Sequence, residues 1–328
     1  MPRYLKFTCF ESSAFLLTDS EKVYEYYYYK KKYGGNHDNA LSVDVLFPGI
    51  SISECSPFSI EQNFVACLCH SGLIFDHIDS DKNIAVISRS EKDLNIRDIN
   101  VLLSAILSKE LNINAKAFLH CSAVAKKQNA TLLLGGMGSG KTSLAVYLCR
   151  HYDCQLVCND HAVVGIDDNM MPHIYCGTLS TVLRPGAVGL VVPELVSEIP
   201  KEMFKKPWKT QFVLNDYFTK LGITTKHGAT VKNVIFVDID EGKPCECSKV
   251  TFEKNFSRTM LDLHNALGEC TRCNAKYLFG IDKVMPNFDD DETSLKRKEM
   301  AEIIINNTNV FDIHGNVRCV ADEISKLL

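Results

Sequence analysis

The pattern of hydrophobic and polar positions changes period along the chain. From residue 1 to about 90 it is short and strand-like. Tyr4 to Phe10, Ser13 to Leu17, Tyr24 to Tyr29 and Ile84 to Ile87 predict strands, and Gly34-Gly35-Asn36 predicts a turn. From Asp93 to about Asn112 the period becomes helical, with Ile99, Leu102, Leu103, Ile106 and Leu107 on one face. Ala117 to Ala125 and Ala130 to Leu134 then predict strands, and the segment around Leu144 and Leu148 a helix. Gln155 to Cys158 and Ala162 to Ile166 predict two more strands, and Val234 to Ile239 an apolar strand suited to the middle of a sheet. Phe256 to Leu267 and Ser294 to Ile305 predict amphipathic helices, carrying Met260, Leu263 and Leu267 on one and Met300, Ile303 and Ile304 on the other. The pattern therefore predicts an α/β protein in two parts: a β-rich N-terminal domain with a linking helix over 1–112, and an α/β domain over 113–328.

Composition narrows this picture. Of 328 residues, 46% are hydrophobic and 23% charged, which suits a chain that buries a core. The formal net charge of −4 argues against a general nucleic-acid binder. The run Tyr26-Tyr27-Tyr28-Tyr29 followed by Lys30-Lys31-Lys32 has the makings of a base-stacking surface. A half-exposed hairpin accounts for it better, because tyrosine favours strands and the overall charge is negative. No apolar run approaches the roughly 18–20 residues that span a bilayer, and the N-terminus does not read as an export signal. A cytoplasmic protein is expected, with no membrane partner; self-association is left open. Asp289-Asp290-Asp291-Glu292 is expected to be a solvated acidic run leading into a helix start rather than a metal site.

Fourteen cysteines are many, and without an export signal they are expected to be reduced thiols. Cys245, Cys247, Cys270 and Cys273 supply enough thiolates for one tetrahedral zinc. Their C-x-C and C-x-x-C spacing is not the usual pair of knuckles, and the rest of the chain is equally rich in cysteine, so scattered thiols are the expectation.

The chemistry concentrates in Gly135-Gly136-Met137-Gly138-Ser139-Gly140-Lys141-Thr142. This G-x-x-x-x-G-K-T pattern follows the strand ending at Leu134 and opens a helix, the context that distinguishes a phosphate loop from a chance match. Glycines let successive backbone N–H groups turn inward as an anion nest, and the helix N-terminus adds its positive end. Lys141 supplies a cation for the β and γ phosphates of ATP or GTP. The Thr142 hydroxyl is placed for Mg²⁺, and Ser143 completes the nucleotide-binding segment. The loop alone does not separate a kinase from an ATPase, a GTPase or a switch. Asp160, after the predicted strand ending at Cys158, and Asp238 and Asp240, ending the strand from Val234, are the carboxylate candidates for Mg²⁺.

Phe118-Leu119-His120-Cys121-Ser122-Ala123-Val124-Ala125, the phosphate loop, Leu156-Val157-Cys158-Asn159-Asp160 and Ser180-Thr181-Val182-Leu183-Arg184-Pro185-Gly186-Ala187 together resemble the HPr kinase/phosphorylase superfamily. The motifs cover about Ala117 to Ala187, and the superfamily is related in fold to phosphoenolpyruvate carboxykinases. The resemblance implies a P-loop kinase domain of HPr-kinase type. It gives Lys141 and Thr142 the phosphate and magnesium roles, and makes Asp160 general base and metal-side carboxylate. It sets His120 near the transferred phosphate, where its imidazole would orient Asp160 or the γ-phosphate, and Arg184 as a phosphate clamp. Asp238 is then a strand-end carboxylate without catalytic duty. The family's acidic pair is here Asn159-Asp160, and Val182 stands where HPr kinases carry a glutamate. A second metal, reverse phosphorolysis and HPr itself as acceptor are therefore not expected.

What the resemblance implies is an ATP- or GTP-dependent kinase moving a γ-phosphoryl group to a hydroxyl, either a serine or threonine of a peptide or protein, or a small metabolite. The alternatives are a non-catalytic nucleotide-binding regulator and a phosphoenolpyruvate-carboxykinase-like enzyme. The lysine-rich stretch Lys201 to Lys226, with Phe204 and Trp208, is open to two readings: a solvated surface excursion, which is favoured, or an acceptor-binding flap.

Overall fold

The computed structural model describes residues 2–33, 48–55, 62–69, 75–207, 210–272, 277–278, 283–284 and 287–328. The predicted turn at Gly34-Gly35-Asn36, and Trp208 and Cys273, lie outside them. The chain divides into two compact units, Met1–Phe118 with Leu263–Met300, and Leu119–Asp262 with Ala301–Leu328. The sequence pattern had assigned 263–300 to the second part.

The first unit holds a six-stranded sheet of β1 (Arg3–Cys9), β2 (Ser12–Thr18), β3 (Ile50–Glu54), β4 (Phe64–Leu68), β5 (Phe75–Asp79) and β6 (Ile84–Ser88), in the order β3-β1-β2-β4-β6-β5. Period-2 alternation is plain in β1, where Leu5, Phe7 and Cys9 are buried. The segment read as a strand over Tyr24 to Tyr29 is instead helical, within α1 (Glu21–Tyr33). A local cap and a buried face together override the strand preference of tyrosine. Ser20 Oγ accepts the N–H of Val23 at 3.2 Å, a helix-starting cap. Val23 and Tyr27, four apart, then share the buried face. The Tyr27 ring meets Phe7 edge-on at 5.0 Å, and its hydroxyl donates to Asn100 Oδ1 at 2.7 Å. The segment is therefore not a hairpin. The linking helix is α2 (Ile96–Ile113), with Asn95 capping the N–H of Arg97 and the predicted face of Ile99, Leu102, Leu103, Ile106 and Leu107 fully buried.

The acidic run is solvated as expected at Asp290, Asp291 and Glu292, but not at Asp289. Asp289 is bound by both Arg272, at 2.9 Å, and the completely buried Arg297, while Asp290 pairs with Lys109 at 2.9 Å. Arg297 also donates to Asn112 Oδ1 of α2 at 3.0 Å. The helix start was read correctly: Asp290 Oδ1 accepts the N–H of Thr293.

The second unit is built on a seven-stranded sheet: β7 (Lys116–Lys126), β8 (Asn129–Leu134), β9 (Gln155–Ile166), β10 (Pro172–Gly177), β11 (Ala229–Ile239), β12 (Glu246–Lys249) and β13 (Asn309–Gly315). Their order is β10-β9-β7-β8-β11-β13-β12. β8, β11 and β13 are mutually parallel, and β10 also pairs with β11 at His173–Thr230 and Ile174–Ala229, so five strands close on themselves. Helices α3 (Lys141–His151), α4 (Pro185–Val191) and, at the C-terminus, α5 (Val317–Ser325) contribute Leu144, Leu148, Val188, Val191, Val320 and Ile324 to its core, with Ile235 and Ile313 from the sheet. No helix among the described residues is long and apolar enough to cross a membrane.

Candidate active site

The glycine-rich loop 135–142 runs from the end of β8 to the start of α3, and its backbone requires glycine at particular places. Gly135, Gly138 and Gly140 have φ of +150°, +86° and +86°, the region that side chains disfavour. A Cβ on Gly135 would lie 2.6 Å from Val237 O and from Ser139 Oγ, and one on Gly140 would lie 2.5 Å from the Ile239 side chain. The loop is thus pressed against the end of β11, and Ile239 N–H donates to Ser139 O at 2.9 Å. Lys141 Nζ curls back over the loop and donates to Gly135 O at 2.8 Å and Gly136 O at 3.1 Å. Ser139 Oγ is buried without a hydrogen-bond partner among the described residues. Beside Gly138 the space where a Cβ would stand is open, and Met137 is 90% exposed.

Asp160 does not end a strand. The two strands expected on either side of it are one, β9, carried through a bulge. Asn159 N–H donates to Thr178 O at 2.7 Å and Thr178 N–H donates to His161 O at 2.9 Å, so one residue answers three. Asp160, between them, has φ +75°. Thr178 Oγ1 holds the bulge from the other side. It accepts the His161 N–H at 3.1 Å and contacts the Asn159 carbonyl. Gly177 follows from the same crowding, since a Cβ there would lie 2.1 Å from Cys158 Cβ.

The bulge turns the Asp160 carboxylate outward, 56% exposed, between two imidazoles. His161 Nδ1 is 3.0 Å from Oδ2 and His120 Nε2 is 3.6 Å from Oδ1, and the two rings stack with centroids 5.4 Å apart. Partial burial works to raise the Asp160 pKa. The His161 hydrogen bond and the charges of His161, His120 and Lys141 outweigh it and hold the carboxyl below its ordinary value. Asp160 is therefore ionised at neutral pH and within electrostatic reach of the loop lysine. Asn159 points the other way, into the core. It accepts from Ser122 Oγ at 2.8 Å and donates to Ser180 O at 2.9 Å.

The remaining candidates sit differently. Thr142 and Ser143 are half-buried in the first turn of α3. Arg184 is exposed immediately before α4, with no side-chain partner among the described residues. Asp238, exposed near the end of β11, pairs with Lys243 at 3.4 Å, as does Asp240 at 3.5 Å. Lys201, Lys205, Lys206 and Lys220 are exposed, while Phe212, Leu214, Leu221 and Ile223 of the same stretch enter the core. His161 and Thr178 were not singled out by the sequence. The available signal was the Asp160-His161 dipeptide, which puts polar side chains on both faces of an apolar strand.

The cysteines require a correction. Cys245 is joined to Cys319 of α5 by a disulfide, so not all are reduced thiols and Cys245 is not available to a zinc quartet. Among the described residues no group of three or more His, Cys, Asp or Glu forms a metal cage.

No protein-family model matches the chain, and no curated protein matches it significantly. Among solved structures, it is similar to the HPr(Ser) kinase/phosphatase from Coxiella burnetii, at 12% identity and a TM-score of 0.31, over 64% of this chain and 87% of that one. A likeness this distant carries no argument about activity, which has to be made from the residues of the site.

Proposed function

We propose that the chain is a nucleotide-dependent phosphotransferase that moves the γ-phosphoryl group of ATP or GTP to a hydroxyl acceptor. The observation that carries this is an outward-turned carboxylate, set between two imidazoles and within electrostatic reach of the lysine of a glycine loop. A nucleotide-binding switch needs the loop; a kinase also needs a base facing the place where the phosphate ends. The backbone amides of 135–142 and the Lys141 ammonium would hold the β and γ phosphates. The buried, unpartnered Ser139 hydroxyl and the open space beside Gly138 suit an anion in that cradle. Asp160 would accept the acceptor's hydroxyl proton, late in a loose transition state. His120 would face the phosphate on the other side of the carboxylate, and Arg184, exposed before α4, is the candidate clamp.

Thr142 and Asp160 would hold Mg²⁺, whose charge neutralises phosphate oxygens when bound. Their chemistry fits. Both are hard oxygen donors, and Mg²⁺ characteristically takes one or two protein ligands and completes its shell with phosphate and water, which needs no protein cage.

The test is transfer of label from γ-labelled MgATP and MgGTP to a panel of serine peptides, threonine peptides and small alcohols. Acceptor-dependent transfer that disappears in Lys141→Ala supports the proposal. Tight nucleotide binding with no transfer to any acceptor or to water would instead make the chain a nucleotide-binding regulator.

A further inference from the structure

We infer that His161, rather than His120, is the positioning residue that aims the Asp160 carboxylate; this rests on the phosphotransferase proposal for its consequence in turnover, but not for its geometry. Neighbouring side chains on a regular strand point to opposite faces. Asp160 and His161 do not, because the left-handed backbone at Asp160 rotates its carboxylate onto the face that His161 occupies. The result is a 3.0 Å contact between His161 Nδ1 and Asp160 Oδ2. It is the one side-chain hydrogen bond of Asp160 among the described residues, since His120 stands at 3.6 Å, beyond hydrogen-bond length.

His161 is itself held: its backbone N–H is anchored on Thr178 Oγ1 at 3.1 Å, and its ring lies against that of His120 with 25° between the planes. A base on a half-exposed carboxylate needs such a support, because its free rotation would scatter the proton-accepting oxygen. With Oδ2 held by His161, Oδ1 is the oxygen left for an acceptor hydroxyl. The arrangement requires the His161 tautomer protonated on Nδ1, with that proton donated to the carboxylate.

Two measurements test this. Long-range ¹H–¹⁵N spectra of the intact protein, at a pH where imidazole is neutral, report the tautomer, with the His161 resonance assigned by its loss in His161→Asn. The Nδ1–H form is expected, reverting to the commoner Nε2–H form in Asp160→Ala; an Nε2–H form in the native protein overturns the inference whatever the activity. The second measurement is steady-state MgATP hydrolysis, with water as acceptor. Asn places its amide N–H close to the position of Nδ1, whereas Gln reaches toward that of Nε2. His161→Ala and His161→Gln should lower kcat roughly 10–100-fold with KM nearly unchanged, the usual cost of losing a supporting partner, while His161→Asn keeps it within about threefold. Equal losses in all three variants would mean a merely structural role, and so would overturn the inference. Failure of the phosphotransferase proposal itself would look different: MgATP affinity unchanged in Lys141→Ala, with the tautomer as expected.

Discussion

Ser122 and Asn159 are locked together behind the site, the hydroxyl of β7 donating to the amide oxygen of β9 at 2.8 Å, with both side chains out of solvent. The amide nitrogen of Asn159 in turn satisfies Ser180 O. Both ends of the amide are therefore used, one as acceptor and one as donor. A carboxylate serves only the first, and would set a negative charge against a carbonyl.

Asn159→Asp should accordingly not restore an acidic pair. It should destabilise the second unit by at least about 2 kcal/mol, from a buried charge and an orphaned carbonyl. Urea denaturation followed by the far-ultraviolet signal checks this. A stability equal to the parent, with raised turnover, would show that the pair is functional after all.

Asp160→Asn keeps shape and removes charge, and should reduce phosphoryl transfer by roughly 10²–10⁴-fold. Nucleotide affinity should change far less, because the loop amides and Lys141 supply most of it. Asp238→Asn, which only releases Lys243 at the surface, should stay near parental turnover. Assays of both variants at saturating MgATP decide the matter, and a dominant Asp238 would reverse the assignment.

The Asp289 cluster should make the first unit sensitive to acid. Burial pushes the Asp289 pKa up, but hydrogen bonds from Arg297, Thr293 and Arg272 outweigh it and hold the carboxyl below its ordinary value of 3.8. A depressed folded-state pKa means a contribution that is complete above the unfolded value and lost as pH falls through the folded one. Asp289→Asn should cost about 3–5 kcal/mol near neutrality, because it strands the buried Arg297 guanidinium. The gap between variant and parent should close as pH is lowered through 4 toward 2. Melting curves across that range test it; a gap independent of pH would rule out the charge as its origin.

The bridge between Cys245 and Cys319 closes a loop across a sequence separation of 74, for which chain entropy alone gives about 4 kcal/mol. Cys319→Ser, or a dithiol reductant, should lower the thermal midpoint. Denatured, unreduced protein should titrate twelve free thiols, the chain's fourteen cysteines less the bridged two. Fourteen would exclude the bridge.

What could be read from the sequence followed from how local its causes are. The strands β1 and β2 and the buried face of α2 announce themselves by period, β7 and β8 by continuous apolar composition, and the glycine loop by its place between strand and helix. Helix α1 was hidden because tyrosine's intrinsic preference and its actual environment disagree: Phe7 and Asn100, which receive Tyr27, are remote in sequence. Within the acidic run Asp289 alone departs from the expected solvation, for the same reason, its arginines being brought in by tertiary packing. At Asp160 the polar dipeptide was visible, but it was taken for a break. Only the opposing Thr178 turns an interruption into a bulge that keeps the ladder and swings one carboxylate outward.

The folded-back Lys141 bears on what the loop will accept. Its ammonium already has two carbonyl oxygens for company, at 2.8 and 3.1 Å. A lone anion exchanges one pair of oxygens for another and gains little. A chain of phosphates offers several oxygens around the same ammonium while its far end still meets the loop amides. On the proposed reading, a preference for polyphosphate over simple anions would follow from the loop itself, before any base or sugar is recognised.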